Sequence, residues 1–257
     1  LKTISLPVYK RPDRVKRLLE TLRACRPDGY TLFVSAEPGH QDVLDVISSI
    51  DFMPFQVAIN KERLGLNANI RKALMAAMES GSSFHVALED DLALAPDALR
   101  MADWFSTYPR ASEYGCLGFF AGASNEKSPM EVCETQEFRS WGWCCTRESF
   151  DKFVLPGLDY VLTQEGGKYS HLWDFKMQGY FLVNRVKTLH PLLTRSNHEG
   201  ADDGTNTLDP ELVRHFVNPV VSSGKYSGDF FVTRPSGRVT LDPVTRAFIP
   251  VREKVSA

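Results

Sequence analysis

"TISLPVYKRPDRVKRLLETLRACRPDGYTLFVSA" (residues 3–36) holds two apolar runs with a periodic segment between them. "TISLPV" (3–8) has the residue types of a strand. In "RPDRVKRLLETLRAC", Val15, Leu18, Leu19 and Leu22 recur at i, i+3, i+4 and i+7, the spacing of an amphipathic helix. "YTLFVSA" (30–36) is a second buried strand, stopped by the turn signal "EPGH". A strand, a helix and a strand in this order predict a parallel pair with a crossover helix.

The alternation continues downstream. "QDVLDVISSI" predicts a second helix and "FQVAI" (55–59) a third strand. "NANIRKALMAAME" places Ile70, Ala73, Leu74, Ala77 and Met78 on one face of a third helix, and "SFHVAL" (83–88) is a fourth strand. A short helix over 96–105 follows, opened by Pro96 and Asp97. From 114 onward the texture changes to aromatics, glycine and proline. "GCLGFFAGA" (115–123) suits one more core strand, "EFRSWGWCCT" (137–146) has strand propensity, and "HLWDFKMQGYFLV" (171–183) predicts a short helix leading into a strand. "SNHEGADDGTN" (196–206) is a polar loop, and the last forty or so residues show no strong periodicity. The expected architecture is one α/β domain over 1–257: a nucleotide-binding half (1–105) with a mostly parallel sheet, a smaller mixed acceptor half (106–215) and a C-terminal extension (216–257).

Composition bounds the function. At 257 residues, 43% apolar and 24% charged, the chain is an ordinary globular protein, and a net charge of −2 gives no global attraction to nucleic acid or anionic membrane. No apolar run approaches the ~18–20 residues of a membrane span. Five cysteines without a CxxC pair suggest neither zinc nor a disulfide framework, and no Asn-x-Ser/Thr site occurs. Both point to the cytoplasm, or its face of the inner membrane. The chain starts at Leu1 without Met, so membership of a larger multidomain protein stays open. GxxxxGK[ST], an early GxGxxG and GxSxG are all absent, which removes P-loop, dinucleotide and α/β-hydrolase chemistry. A nucleotidyltransferase would carry a Gly-rich loop where this chain has "VYKRPDRV".

Three acids, Glu89, Asp90 and Asp91, directly follow the fourth strand. Ligands of parallel sheets bind at the carboxyl ends of strands. Carboxylates there suit Mg²⁺ or Mn²⁺ bridging a diphosphate. Strand alternation would put Glu89 and Asp91 on one side and Asp90 on the other. An acidic cap before the next helix is the plainer alternative. Asp174 in "LWDF" is either a carboxylate held among Trp173 and Phe175, with its pKa raised for base work, or a helix N-cap. In "RSWGWCCT", one of Trp141 and Trp143 is expected in the core and the other against a sugar. His198, with Asp202 and Asp203, is a candidate metal or diphosphate contact from a lid, or part of a solvated loop.

"ISLPVYKRPDRVKRLLETL", "FVSAEPGH", "ALEDDLALAPDAL", "SWGWCCT" and "LWDFKMQ" resemble, in order and spacing, the inverting GT-A glycosyltransferases. The likeness extends to the N-acetylglucosaminyltransferase I group and to bacterial relatives with an "SWGWATW"-like segment, and covers roughly residues 1–206. It implies metal-dependent hexosyl or N-acetylhexosaminyl transfer from a nucleotide sugar, usually a UDP-sugar, to a glycan or glycoconjugate hydroxyl, as in polysaccharide biosynthesis. On this resemblance Asp91 binds Mn²⁺ or Mg²⁺, Asp90 reaches the ribose and Glu89 supports the metal through water. Arg11 contacts the nucleotide, Asp174 is the base, and Glu37, one methylene longer than the family's Asp, holds the uridine. Asn69 stands where the family has a uridine-contacting His. Two alternatives stay open: a retaining enzyme with the same triplet, and a catalytically silent GT-A domain serving as a sugar-binding or scaffold module.

Overall fold

The computed structural model describes residues 1–121, 125–126, 128–163, 172–199, 221–241 and 248–256. Strands β1 (Lys2–Val8), β2 (Tyr30–Ala36), β3 (Phe55–Ile59) and β4 (Phe84–Ala87) alternate with helices α1 (Pro12–Ala24), α2 (Gln41–Ser48) and α3 (Leu66–Glu79). β1 pairs in parallel with both β2 and β4, and β2 with β3. Helix α1 buries Val15, Leu18, Leu19 and Leu22, the four residues its periodicity singles out. Pro12 opens it, where a missing N–H costs no helical bond.

Past β4 the chain turns into β5 (Leu92–Leu94) and then α4 (Ala98–Thr107). Seven further strands among the described residues are β6 (Leu117–Gly118), β7 (Glu131–Thr135), β8 (Trp143–Thr146), β9 (Thr188–Pro191), β10 (Ser196–His198), β11 (Phe231–Leu241) and β12 (Phe248–Lys254). β5 and β10 form a separate antiparallel ribbon. The other strands make one sheet in the order β12-β11-β7-β9-β6-β8-β4-β1-β2-β3. β8 runs antiparallel to β4, so the parallel half passes into a mixed half at that seam. This is the α/β GT-A architecture.

The sheet carries helices on both faces. One apolar cluster joins α1, α2 and α4 to Ile4, Val86 and Cys144. The other joins α3 and the later helices to Ala87 and Cys145. Adjacent strand residues enter opposite clusters, as a period of two demands. The later helices are α5 (Arg147–Ser149), continued by a π-helix (Phe150–Val154), then α6 (Leu155–Thr163) and α7 (Trp173–Val183).

Three expectations are corrected. Residues 173–183 form a single helix rather than a helix and a strand, because Trp173, Met177 and Phe181 recur every four residues on its buried face. "GCLGFFAGA" contributes only Leu117–Gly118 to the sheet. The C-terminal stretch holds the β11–β12 hairpin, which hydrophobic periodicity did not reveal.

His85 on β4 is fully buried, with Nδ1 2.8 Å from Thr3 Oγ1 and Nε2 2.9 Å from Ser5 Oγ. Burial lowers its pKa to about 3. The five cysteines are all buried free thiols.

Candidate active site

β4 delivers the acids to the carboxyl edge of the parallel strands, and the chain turns at Asp90 and Asp91 before β5 begins. That turn breaks the alternation expected of an extended segment. Asp90 and Asp91 therefore face one partner together, the guanidinium of Arg11. Its Nη2 bonds Asp90 Oδ1, and its Nη1 lies 2.9 Å from Asp91 Oδ2. Arg11 is the residue immediately before α1, with non-helical dihedrals (φ −124°, ψ 71°). Burial opposes the Arg11 charge, but the two carboxylates outweigh it and raise its pKa.

His198 reaches the same acid from the other side. The β5–β10 ribbon sets His198 opposite Leu92, and Glu199 N donates to Asp91 O at 2.7 Å. His198 Nε2 comes to 3.3 Å from Asp91 Oδ2. The first three residues of the predicted polar loop are thus a strand; Asp202 and Asp203 lie outside the described residues. Trp141 stacks on His198 with ring centroids 4.9 Å apart and planes at 26°. Ser196 Oγ donates to Trp141 O at 2.6 Å, which fixes that stretch to β10. Gly142 makes the bend behind Trp141: its φ is +80°, and a Cβ there would lie 2.9 Å from Phe119 Cδ2.

Trp143, one residue further, is 1% exposed and packs edge-on against Phe138. Of the two tryptophans, Trp143 is thus the core member rather than a donor contact, and it supports the floor of the site from within. The same floor is lined by Glu89, Ser140 and Trp173.

Asp174 lies within electrostatic reach of Glu89. Desolvation, then the charges of Asp91 and Asp174, push the Glu89 carboxyl well above its usual range, and a hydrogen bond from Ser140 works against them. Asp174 lies in the first turn of α7, whose N-cap position belongs to Leu172, so the capping alternative does not hold. Trp173 is buried beside it, while Phe175 is half exposed and forms no wall. Burial and the neighbouring Asp91 push Asp90 up to about 6, against the opposing pull of Arg11. Burial would raise Asp91 as well, but the bond from His198, that group's charge and Arg11 overturn it and hold Asp91 near 2.

Glu37 and Asn69 bond to the chain itself. Glu37 accepts from Leu64 N at 3.1 and 3.0 Å, from Gly65 N at 2.7 Å and from Asn60 Nδ2 at 3.1 Å. Asn69 accepts from Ser35 Oγ at 2.6 Å and Asn60 Nδ2 at 3.0 Å, and donates to Ser35 O at 3.2 Å. These two residues tie the start of α3 to the ends of β1 and β2. The extra methylene of Glu37 lets it reach the amides at the foot of α3.

Several partners are not legible in sequence. Ser140 stands at the head of "SWGWCCT", but nothing in that motif points to its bond with Glu89. Asp97, where a helix cap was expected, pairs instead with the fully buried Arg195 at 3.2 Å. Tyr9 is bracketed by His40, with ring centroids 4.8 Å apart, and by Arg63, 4.7 Å above its ring.

Asp91 Oδ1, Glu89 Oε1 and His198 Nδ1 are closed to solvent and have no hydrogen-bond partner. Most buried polar atoms find a partner in the chain, in water or in a ligand. Among the described residues no group of three or more His, Cys, Asp or Glu is arranged to hold a metal ion. One carboxylate and one imidazole nonetheless fit a Mn²⁺- or Mg²⁺-type ion that completes its shell with phosphate oxygens and water.

No family model and no curated protein matches the chain. Solved structures do. TarS of S. aureus (its residues 1–349) is similar at a TM-score of 0.50 and 12% identity, over 74% of this chain and 60% of that one. The mannosyltransferase PcManGT from Pyrobaculum calidifontis, solved with GDP-Man and Mn²⁺, gives 0.45 and 15% over 59% of this chain and 46% of that one. A nucleoside-diphosphate-sugar pyrophosphorylase from Vibrio cholerae gives 0.49 and 8% over 84% and 99%. The chain thus spans about half the length of the first two. At 12% identity the TarS likeness is one of fold. Among the described residues no helix is long and apolar enough to cross a membrane.

Proposed function

We propose that the chain is a metal-dependent glycosyltransferase that moves a sugar from a nucleotide-sugar donor to a hydroxyl of a glycan or glycoconjugate. The observation that carries this reading is the unsaturated acidic corner at the carboxyl edge of the parallel strands, where Asp91 and His198 each keep a buried polar atom unpaired. Asp91 and His198 would hold the divalent ion. When bound, such an ion screens the diphosphate and stabilises it as a leaving group. Arg11, paired with Asp90 and Asp91, would meet that diphosphate, and Asp90 would reach the ribose, as the resemblance implies.

Asp174 is the base in this reading. It would take the proton from the acceptor hydroxyl as that oxygen attacks the anomeric carbon opposite the leaving diphosphate, which inverts the configuration. Support comes from its place in the first turn of α7, beside Trp173 and within electrostatic reach of Glu89. Glu89, its carboxyl pushed well above the usual range by burial and by the neighbouring acids, would support the ion through a water. The stacked Trp141 offers an indole face to the sugar. A UDP-sugar is the donor implied by the resemblance to the N-acetylglucosaminyltransferase I group.

The test is donor turnover. The protein with Mn²⁺ is incubated with UDP-, GDP- and dTDP-sugars, and release of the nucleoside diphosphate is followed with and without oligosaccharide acceptors. Metal-dependent release from at least one donor is expected. Neither release nor thermal stabilisation with any donor would remove the enzymatic reading.

A further inference from the structure

Arg11 occupies a place that a cation-binding site does not leave to a simple nucleotide contact. Its fork spans Asp90 and Asp91, and it shares Asp91 Oδ2 with His198. It thereby supplies the positive charge that two adjacent buried carboxylates need. A divalent ion arriving alone at Asp91 meets this guanidinium at close range and must repel it or share the carboxylate with it. A nucleoside diphosphate changes the balance, because a guanidinium binds phosphate in the same two-pronged way as carboxylate. Arg11 stands at the hinge between β1 and α1, outside helical geometry, with its side chain still 18% exposed. Its charge can move the short distance from the acids to a diphosphate without unfolding either element.

We propose that Arg11 couples the two ligands. It acts as an internal counter-cation for Asp90 and Asp91 while no donor is bound, and transfers to the diphosphate when a metal ion takes Asp91. Cation alone then binds poorly, and nucleotide and cation enter together. This rests on the reading of the site as one for a nucleoside diphosphate and a divalent ion. The coupling is reciprocal: whatever factor the nucleotide lends to the cation, the cation lends to the nucleotide.

The experiment is a titration with Mn²⁺ alone, followed by the electron paramagnetic resonance signal of free Mn²⁺, then repeated with UDP, GDP or dTDP. Wild type is compared with Arg11→Met. With Arg11 gone, Mn²⁺ alone should bind about tenfold more tightly than to wild type, while the nucleotide without metal should bind more weakly. A residue that only contacts the nucleotide leaves the affinity for Mn²⁺ alone unchanged, and one that only props up the acids lowers it. Equal or weaker Mn²⁺ binding by the variant therefore overturns the coupling and leaves the site reading standing. Failure of both proteins to bind Mn²⁺, with or without any of the three nucleotides, overturns the site reading itself. Circular dichroism checks folding. If the methionine variant does not fold, Arg11→Gln carries the same test, since it also removes the charge that competes with Mn²⁺ and keeps a polar group beside the two carboxylates.

Discussion

Glu37 and Asp91 are both buried acids, and both follow strands of the same parallel half. Glu37 is finished: two backbone amides and Asn60 occupy its oxygens. Asp91 is not: one oxygen is shared between Arg11 and His198, and the other has no hydrogen-bond partner. Burial alone therefore does not separate structural acids from working ones in this protein. Saturation by the chain itself is what distinguishes these two. A carboxylate whose bonds are all made has no reason to change partners, whereas one with an unpaired buried oxygen is poised to accept a ligand.

The sharpest test of this contrast is Asp91→Ala. It should abolish metal-dependent donor binding and lower turnover by roughly 10³-fold, the scale of a lost metal contact. Isothermal titration with UDP and Mn²⁺ reads the first effect, and nucleoside diphosphate release the second. Donor binding that persists with Mn²⁺ would place the metal elsewhere.

Next comes Asp174→Asn, which should keep donor affinity and cut turnover by at least ~10²-fold, as for a lost general base. Unchanged turnover would take Asp174 out of the mechanism.

On the saturated side, Glu37→Gln should cost about 1.5–3 kcal/mol of stability through its weakened bonds to Leu64 N and Gly65 N. Urea unfolding measures it, and donor affinity should hold. A fall in nucleotide affinity larger than the fall in stability would break the comparison and return Glu37 to the uridine.

His85 extends the contrast to pH. It is another finished group, neutral between Thr3 and Ser5, with its pKa lowered from 6.5 to about 3 by burial. Below pH 6.5 the unfolded chain takes up a proton that the folded ring refuses. Its contribution to stability is thus full above about pH 6.5 and is lost as pH falls toward 3. Between pH 7 and pH 5 this amounts to about 2 kcal/mol. Urea midpoints at both values should fall less in His85→Gln than in wild type, and parallel falls would show that the ring becomes charged in place.

The parallel half was legible because its signals are local. Leu18, Leu19 and Leu22 mark one helix face within two turns, and β1 and β2 are each seven residues long. The mixed half was not, because β6 has two residues and β10 three, and each finds its partner far along the chain. The same division runs through the site. The acidic triplet is visible as a string of letters. That Asp90 turns toward Arg11 depends on a bend no periodicity encodes, and the approach of His198 depends on a ribbon between residues about a hundred positions apart. Trp141 and Trp143 are alike in sequence; the positive φ of Gly142 sends one to His198, and the register of β8 sends the other into the core.

The distribution of thiols has a practical consequence. Cys25, Cys116, Cys133, Cys144 and Cys145 are spread over both halves of the molecule, and all are shielded, with burial raising the pKa of each. A thiol-directed alkylating reagent can reach them only when their surroundings open. Timed labelling read by peptide mass spectrometry would therefore report, from native residues and without any introduced probe, which half of the protein opens first.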